Sequence, residues 1–151
     1  MKNILFVCTG NRCRSVMAEG LFKKMIGSRA GEFKASSAGI SATDGFPASP
    51  ETVQVMKSEE IDVSDHRSQS LRPEMISAAH KIYVMERMHK EWILRLSPEA
   101  KDKVFLMTDF HSGDDVHGDT DIPDPIHMSF FFYRNVLSVI HDCVKKIVEN
   151  L

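Results

Sequence analysis

Short runs of strand-forming residues alternate along this chain with stretches in which apolar residues recur at helical spacing. The strand-like runs lie at residues 4–7, 33–37, 81–85 and 103–107. The helical stretches are predicted at residues 15–29, 50–59, 73–79 and 87–96, and from residue 129 to near the end. This order predicts an α/β fold: a single-domain, four-stranded parallel sheet with helices on both faces and right-handed crossovers.

The loop between the first strand and the first helix carries the clearest chemistry. Five residues separate Cys8 from Arg14, and the helix pattern opens at Ser15. Successive amides and the positive end of a helix dipole at such a turn bind an anion of phosphate size, and Gly10 is expected to relax the turn. Arg14 can hold two anion oxygens with its planar fork, and these surroundings favour the thiolate of Cys8. The loop therefore places a nucleophile beside phosphorus.

Hydrolysis of a phosphate ester through cysteine also needs an acid for the leaving group. Residues 109–125 lack apolar periodicity and are predicted to form a long surface loop, which is often a functional element. A carboxyl group from this loop would supply the proton. Residue chemistry alone leaves six candidates open: Asp109, Asp114, Asp115, Asp119, Asp121 and Asp124.

Composition narrows the class of protein. The 151 residues suit one domain spanning 1–151, and 42% hydrophobic and 26% charged residues are typical of a soluble globular protein. A net charge of −2 does not indicate binding to nucleic acid. No apolar run is long enough to span a membrane. Three cysteines, an odd number, do not indicate a secreted disulfide framework. We therefore expect a cytoplasmic protein, which we predict to be a monomer.

The segment from Cys8 to Ser15 resembles the signature of the low-molecular-weight protein tyrosine phosphatases, Cys-x-Gly-Asn-x-Cys-Arg-Ser. The resemblance implies a flavodoxin-like fold of the phosphotyrosine protein phosphatase I type and a phosphorylated protein as substrate. It also implies a phosphocysteine intermediate, with neither metal nor cofactor. The implied acid lies in an Asp-Pro pair ahead of the last helix, which favours Asp124, with Asp121 as second choice. The phosphate-binding loop would comprise Thr9, Gly10, Asn11, Arg12, Cys13 and Ser15, beside the catalytic Cys8 and Arg14.

Residues that support the loop follow from the same resemblance. Asn11, Ser37 and His66 are expected to brace the loop through hydrogen bonds, although polar residues are also common in turns. Ser15 has two open interpretations: its hydroxyl donates to the sulfur of Cys8, or it caps the first helix.

The second cysteine of the loop also has two interpretations. The resemblance favours a reversible disulfide between Cys8 and Cys13 that protects the nucleophile from over-oxidation. Alternatively, Cys13 is a small residue packed beneath the start of the helix. Cys143, on the last helix, is interpreted as a packing residue.

Departures from the family pattern bear on the substrate. Arg12 stands where tyrosine-specific members usually carry an aliphatic residue and the phosphoarginine-specific branch carries threonine. The aromatic walls of the cleft are replaced by Ile126 and His127 on one side and by Ala42 on the other, with Phe46 the nearest ring. Phosphotyrosine is the first prediction for the substrate and phosphoarginine is the alternative.

Three further functions compete with a phosphatase. Thiol-coupled arsenate reductases have a similar loop, but Cys143 is poorly placed as a redox relay. A phosphocarrier or phosphate-binding module would not need both Arg14 and an acid. A metal site is conceivable, although its candidate ligands are irregularly spaced and are predicted to be solvated: His111, Asp114, Asp115, His117 and Asp119.

Overall fold

The computed structural model describes residues 1–110 and 121–151. Its four strands all run parallel, in the order β2-β1-β3-β4, and this confirms the predicted sheet. Because β1 pairs on both sides, its carboxyl end lies near the centre of the sheet edge. The strand bounds are β1 Lys2–Cys8, β2 Phe33–Gly39, β3 Lys81–Val84 and β4 Val104–Leu106.

Each predicted helix is present, and its bounds differ from the expected ones by at most three residues. Two begin at serine caps: Ser49 Oγ accepts the N–H of Thr52 at 3.3 Å, and Ser129 Oγ accepts the N–H of Phe132 at 3.2 Å. The helices are α1 Arg14–Ile26, α2 Pro50–Lys57, α3 Pro73–Ala78, α4 Arg87–Leu96 and α5 Phe130–Glu149. Short 3-10 turns cover Gly27–Arg29, Pro98–Ala100 and Met107–Phe110.

The sheet is covered on both faces, as the continuous apolar sequence of β1 requires. Ile4 and Phe6 pack with apolar residues of α1, α2 and α5 on one face. Leu5 and Val7 pack with residues of α3 and α4 on the other. Side chains of a strand alternate between faces, so β1 contributes to both cores. Burial of each large apolar side chain stabilises the fold by about 1.5–3 kcal/mol, which anchors the strand that leads into the cysteine loop.

The segment before α5 differs from the predicted surface loop. Ile122 is 1% exposed, and its N–H donates to the carbonyl of Met85 at 2.9 Å, directly after β3. The prediction of a surface loop is therefore wrong at this point, because the chain returns to the carboxyl edge of the sheet. The proposed metal ligands His111, Asp114, Asp115, His117 and Asp119 lie outside the described residues.

Two features are absent from the part of the chain that the structure describes. Within residues 1–110 and 121–151, no group of three or more His, Cys, Asp or Glu side chains is placed to hold a metal ion. Of the helices in these two ranges, none combines the length and the apolar character needed to cross a bilayer.

Candidate active site

A small cavity opens at the carboxyl end of β1, where ligands bind in parallel α/β sheets. Its volume is about 180 Å³, and it brings together Cys8, Arg14 and Asp124, which sequence reasoning selected from positions more than 100 residues apart. The lining consists of Cys8, Thr9, Gly10, Arg12, Cys13, Arg14, Asp124 and Ile126.

Asn11, not Gly10, takes the unusual backbone conformation of the loop. Asn11 has φ of 55°, in the left-handed region that asparagine tolerates better than most residues. A side chain at Gly10 would meet no atom within 4 Å, so the expectation that Gly10 relaxes the turn is wrong. A glycine is required instead at Gly39 of β2, beside the loop, because a Cβ there would lie 2.5 Å from the carbonyl oxygen of Thr9.

The sulfur of Cys8 lies within a set of neutral donors. The backbone N–H of Asn11 donates to Cys8 Sγ at 3.2 Å, and Ser15 Oγ lies 3.0 Å from the same sulfur. Since Asn11 Nδ2 donates to Ser15 Oγ at 2.8 Å, the Ser15 hydroxyl hydrogen is available to the sulfur. The N-cap of α1 is Cys13, so the alternative that Ser15 caps this helix is wrong.

Contacts from three directions fix the orientation of the Asn11 side chain. Its Oδ1 accepts the N–H of Gln69 at 2.9 Å, which turns Nδ2 toward Ser37 Oγ at 3.0 Å. Ser37 in turn donates to Glu19 Oε1 at 2.5 Å, and His66 Nε2 donates to the Asn11 carbonyl at 2.7 Å. The expected bracing contacts of Asn11, Ser37 and His66 are thus present, and Glu19 and Gln69 extend them.

Charged and carbonyl groups hold Arg14. This residue is 1% exposed, and its Nη1 donates to Glu86 Oε2 at 2.6 Å and to the Ile122 carbonyl at 2.7 Å. Nη2 lies 3.7 Å from Asp124 Oδ2. Within the described residues, Nε of Arg14 is the only buried side-chain nitrogen or oxygen without a hydrogen-bond partner. Buried donors are nearly always satisfied, so this N–H is a candidate contact for an anionic ligand.

A buried histidine positions the hydroxyl of Thr9. His89 Nδ1 accepts the N–H of Glu86 at 3.0 Å, and burial, assisted by the charge of Arg14, lowers the pKa of His89 to about 4. The neutral ring therefore carries its hydrogen on Nε2 and donates to Thr9 Oγ1 at 2.9 Å. Arg14 Nη2 donates to the same oxygen at 3.4 Å. Because Thr9 Oγ1 accepts twice, its own hydrogen is free to donate elsewhere.

The two favoured aspartates lie in different surroundings. Asp124 lines the cavity, its side chain is 39% exposed, and its Oδ1 accepts the N–H of Ile126 at 3.1 Å. Asp121 Oδ1 instead accepts the N–H of Arg87 at 2.8 Å, at the first turn of α4. The geometry therefore favours Asp124 over Asp121 as a group that meets a ligand.

The other cysteines are free thiols buried in the protein. Cys13 Sγ lies 3.3 Å from Ser49 Oγ and 3.7 Å from the Tyr133 hydroxyl, and burial raises the pKa of Cys13. Cys143 belongs to the apolar core, where burial raises its pKa to about 12. Its packing role agrees with the sequence interpretation.

Arg12 lines the cavity and also contacts the segment around Pro47. Its Nε donates to the Pro47 carbonyl at 2.9 Å, and its guanidinium carbon lies 5.7 Å from the centre of the Phe46 ring. The side chain therefore borders the cavity from its rim.

Sequence reasoning missed Glu86, His89 and the Ile122 carbonyl. Glu86 follows β3 by two residues, and this position at the carboxyl edge of the sheet was an available signal. His89 shares a helical turn with Glu86, but its tautomer depends on contacts that only the fold creates.

This chain is similar to known proteins over nearly its full length. The model of the family described as "Low molecular weight phosphotyrosine protein phosphatase" matches residues 3–151. A protein-arginine-phosphatase of Geobacillus stearothermophilus is 37% identical over 150 residues, which cover 98% of this chain and 95% of that protein. A probable low molecular weight protein-tyrosine-phosphatase of Ralstonia nicotianae is 34% identical over 140 residues, which cover 93% of this chain and 89% of that protein.

Solved structures show the same fold. The low molecular weight protein tyrosine phosphatase of T. tengcongensis superposes with a TM-score of 0.89 at 39% identity, covering 100% of both chains. The arginine phosphatase of Geobacillus stearothermophilus superposes with a TM-score of 0.88 at 35% identity, covering 99% of this chain and 92% of that chain.

Proposed function

We propose a function from the premise that this chain belongs to the low molecular weight phosphotyrosine protein phosphatase family. It is a phosphatase, and phosphorylated proteins are the substrates that the family implies. The finer proposal is a metal-independent, phosphotyrosine-type phosphatase that works through a phosphocysteine intermediate. The observation that carries it is the meeting of Cys8, Arg14 and Asp124 in one cavity.

In the proposed first step, the thiolate of Cys8 attacks phosphorus. The sulfur–phosphorus bond forms while the ester oxygen leaves, and Asp124 gives that oxygen its proton. In the second step, Asp124 accepts a proton from water, the water oxygen attacks phosphorus, and the thiolate of Cys8 departs. The products are the dephosphorylated residue and inorganic phosphate.

The surrounding donors stabilise charge in both steps. Ser15 and the Asn11 amide donate to the sulfur, which favours the thiolate both as nucleophile and as leaving group. Arg14 and the loop amides bind the phosphoryl oxygens, and the unpaired Nε–H of Arg14 supplies one such donor. The Thr9 hydroxyl, oriented by His89, supplies another.

Phosphoarginine is the second candidate substrate. Its support is similarity, because the relative from Geobacillus stearothermophilus that is 37% identical is a protein-arginine-phosphatase. The positive charge of Arg12 at the rim opposes a guanidinium-linked phosphate, so we place phosphotyrosine first. Phe46, 49% exposed near this rim, offers a ring for contact with an aromatic substrate.

Other expectations remain proposals. The Cys8–Cys13 disulfide is a family-level expectation, as is the redox sensitivity of Cys8. A cytoplasmic location, a monomeric state and a single domain over residues 1–151 are predictions of the sequence. Arsenate reduction is less favoured, because the only further described cysteine, Cys143, is buried in the core.

Hydrolysis of a small aryl phosphate in the presence of a chelator tests the proposed chemistry. We expect turnover by the wild type, no turnover by Cys8→Ser, and turnover reduced about 10²–10⁴-fold by Asp124→Asn, because the leaving oxygen loses its acid. Asp121→Asn is the matched control and should lose far less activity. Undiminished turnover by Cys8→Ser would contradict the mechanism.

Phosphorylated peptides distinguish the two candidate substrates. Matched peptides carrying phosphotyrosine or phosphoarginine are compared by kcat/KM, and the proposal expects the phosphotyrosine peptide to be preferred. A clear preference for phosphoarginine would replace phosphotyrosine with the second candidate while leaving the chemistry of Cys8 in place.

A further inference from the structure

A second cavity adjoins the catalytic cavity and shares two residues of the loop with it. Its volume is about 230 Å³, and both cavities are lined by Gly10 and Arg12. The second cavity is otherwise formed by Ser41, Ala42, Thr43, Phe46 and Ser68. Arg12 thus lies between the place where phosphate would bind and a neighbouring polar recess.

The Arg12 side chain is held in place by a backbone carbonyl and a ring, neither of which neutralises its charge. Nε donates to the Pro47 carbonyl, and the guanidinium lies over the Phe46 ring, so the conformational entropy lost on binding a ligand is reduced. Within residues 1–110 and 121–151, no carboxylate lies within ion-pairing distance of Arg12. A half-buried arginine with this arrangement presents its terminal nitrogens to a ligand.

The acidic residue nearest in sequence to this recess is already engaged. Asp44 Oδ1 accepts the N–H of Ser70 at 2.7 Å, and its Oδ2 lies 3.8 Å from Arg72. The other lining side chains of the recess carry no charge. The charge of Arg12 therefore dominates the recess, which favours an anionic group.

We propose that Arg12 and this recess form a subsite for a carboxylate side chain close in sequence to the phosphorylated residue of the substrate. An extended polypeptide advances about 3.3–3.6 Å per residue, so a side chain one or two positions from the phosphorylated residue reaches an adjoining recess. Planar carboxylates match the guanidinium fork. The inference rests on the proposed function and specifies which phosphorylated proteins are preferred.

Paired phosphotyrosine peptides test the subsite. Each pair varies one position between two residues before and two residues after the phosphotyrosine. One member of the pair carries Glu at that position, and the other carries Gln. We expect the wild type to prefer one or more Glu peptides by about 3- to 10-fold in kcat/KM, as a partly exposed ion pair allows, and to lose this preference at high salt. Arg12→Gln should abolish the preference, and Arg12→Lys should retain part of it.

Two controls separate this proposal from the proposed function. Arg95→Gln removes the same charge from the exposed end of α4 and should keep the Glu preference. Each rate is divided by the same variant's turnover of a small aryl phosphate, which has no flanking residues. Equal rates for Glu and Gln peptides in the wild type, or a preference that persists in Arg12→Gln, would overturn the subsite even if aryl phosphate hydrolysis depends on Cys8 as expected.

Binding to Cys8→Ala gives an independent readout. This variant has no nucleophilic atom at position 8, so peptide affinity is measured without turnover, for example by fluorescence anisotropy. The Glu peptides preferred in kinetics should bind about 3- to 10-fold more tightly than their Gln partners, and the difference should disappear in the Cys8→Ala, Arg12→Gln double variant. Equal affinities in Cys8→Ala would count against the subsite.

Discussion

The loop that we propose to be catalytic has a cysteine side, around Cys8, and an arginine side, around Arg14, and the two sides are held by different kinds of interaction. Around Cys8, neutral hydroxyl and amide groups from Asn11, Ser15 and Ser37 form a short chain of hydrogen bonds. Around Arg14, the contacts are a carboxylate from Glu86 and a carbonyl from a segment more than 100 residues away. One side is largely built from the loop itself, whereas the other is assembled from distant elements.

This difference fits the role that we propose for each group. A thiolate nucleophile needs weak donors that favour its charge yet permit it to react, and short hydroxyl and amide side chains supply them. A buried guanidinium must be paired, because an unpaired buried charge is costly, and the pairing carboxylate has to come from another strand end. The two sides therefore differ in how strongly a single substitution affects them.

The largest effect is expected on the arginine side. Arg14→Lys should lower kcat/KM for an aryl phosphate by about 10²–10³-fold, because a point charge cannot reproduce two parallel hydrogen bonds to phosphoryl oxygens. Steady-state kinetics measure this effect. Arg87→Lys, a nearby exposed arginine on α4, is the matched control and should stay near wild-type activity. A loss below tenfold in Arg14→Lys would mean that activity does not require the planar guanidinium group of Arg14.

The histidine behind the arginine side predicts a pH-dependent stability. The pKa of His89 is lowered from 6.5 to about 4 in the folded protein, so the unfolded chain binds more protons between these values. The contribution of His89 to the free energy of unfolding is fully present above pH 6.5. It decreases by roughly 3 kcal/mol as the pH falls toward 4. Urea unfolding of the wild type and His89→Gln at several pH values measures it.

In that experiment, the difference between wild type and His89→Gln should shrink as the pH falls. His127→Gln, at an exposed histidine, is the control for replacing a histidine by glutamine outside the buried contacts of Arg14 and Thr9. A difference that stays constant from pH 6.5 to pH 4 would show that His89 does not titrate as a buried neutral ring.

The smallest effect is expected on the cysteine side. Ser15→Ala removes one donor to Cys8 Sγ but leaves the Asn11 amide in place, so kcat should fall by about tenfold. Ser28→Ala, at an exposed serine just after α1, should have no effect. A loss in Ser15→Ala that exceeds the loss in Arg14→Lys would reverse the comparison between the two sides.

Some features of the fold and the site could be predicted from the sequence, and others could not. The α/β fold with its parallel sheet, and the choice of the pair Cys8 and Arg14, followed from local pattern and from the loop signature, whereas the strand order came from the structure. The expectation for Gly10 was wrong, since the left-handed residue is Asn11 and the close approach occurs at Gly39. The sequence pattern contained no signal that Ile122 is buried against the end of β3, because that contact depends on how the chain returns to the sheet.

Apolar periodicity by itself determined an α/β fold, and the spacing of Cys8 and Arg14 predicted a phosphate-binding cysteine loop, since these signals act within a few residues. The resemblance favoured Asp124 over Asp121, but only the tertiary structure shows that Asp124 lines the cavity while Asp121 accepts a hydrogen bond from the backbone N–H of Arg87. It also decided that His89 orients Thr9 and that Arg12 turns toward Pro47. These choices depend on distances between segments far apart in the chain, and such distances exist only once the sheet has formed.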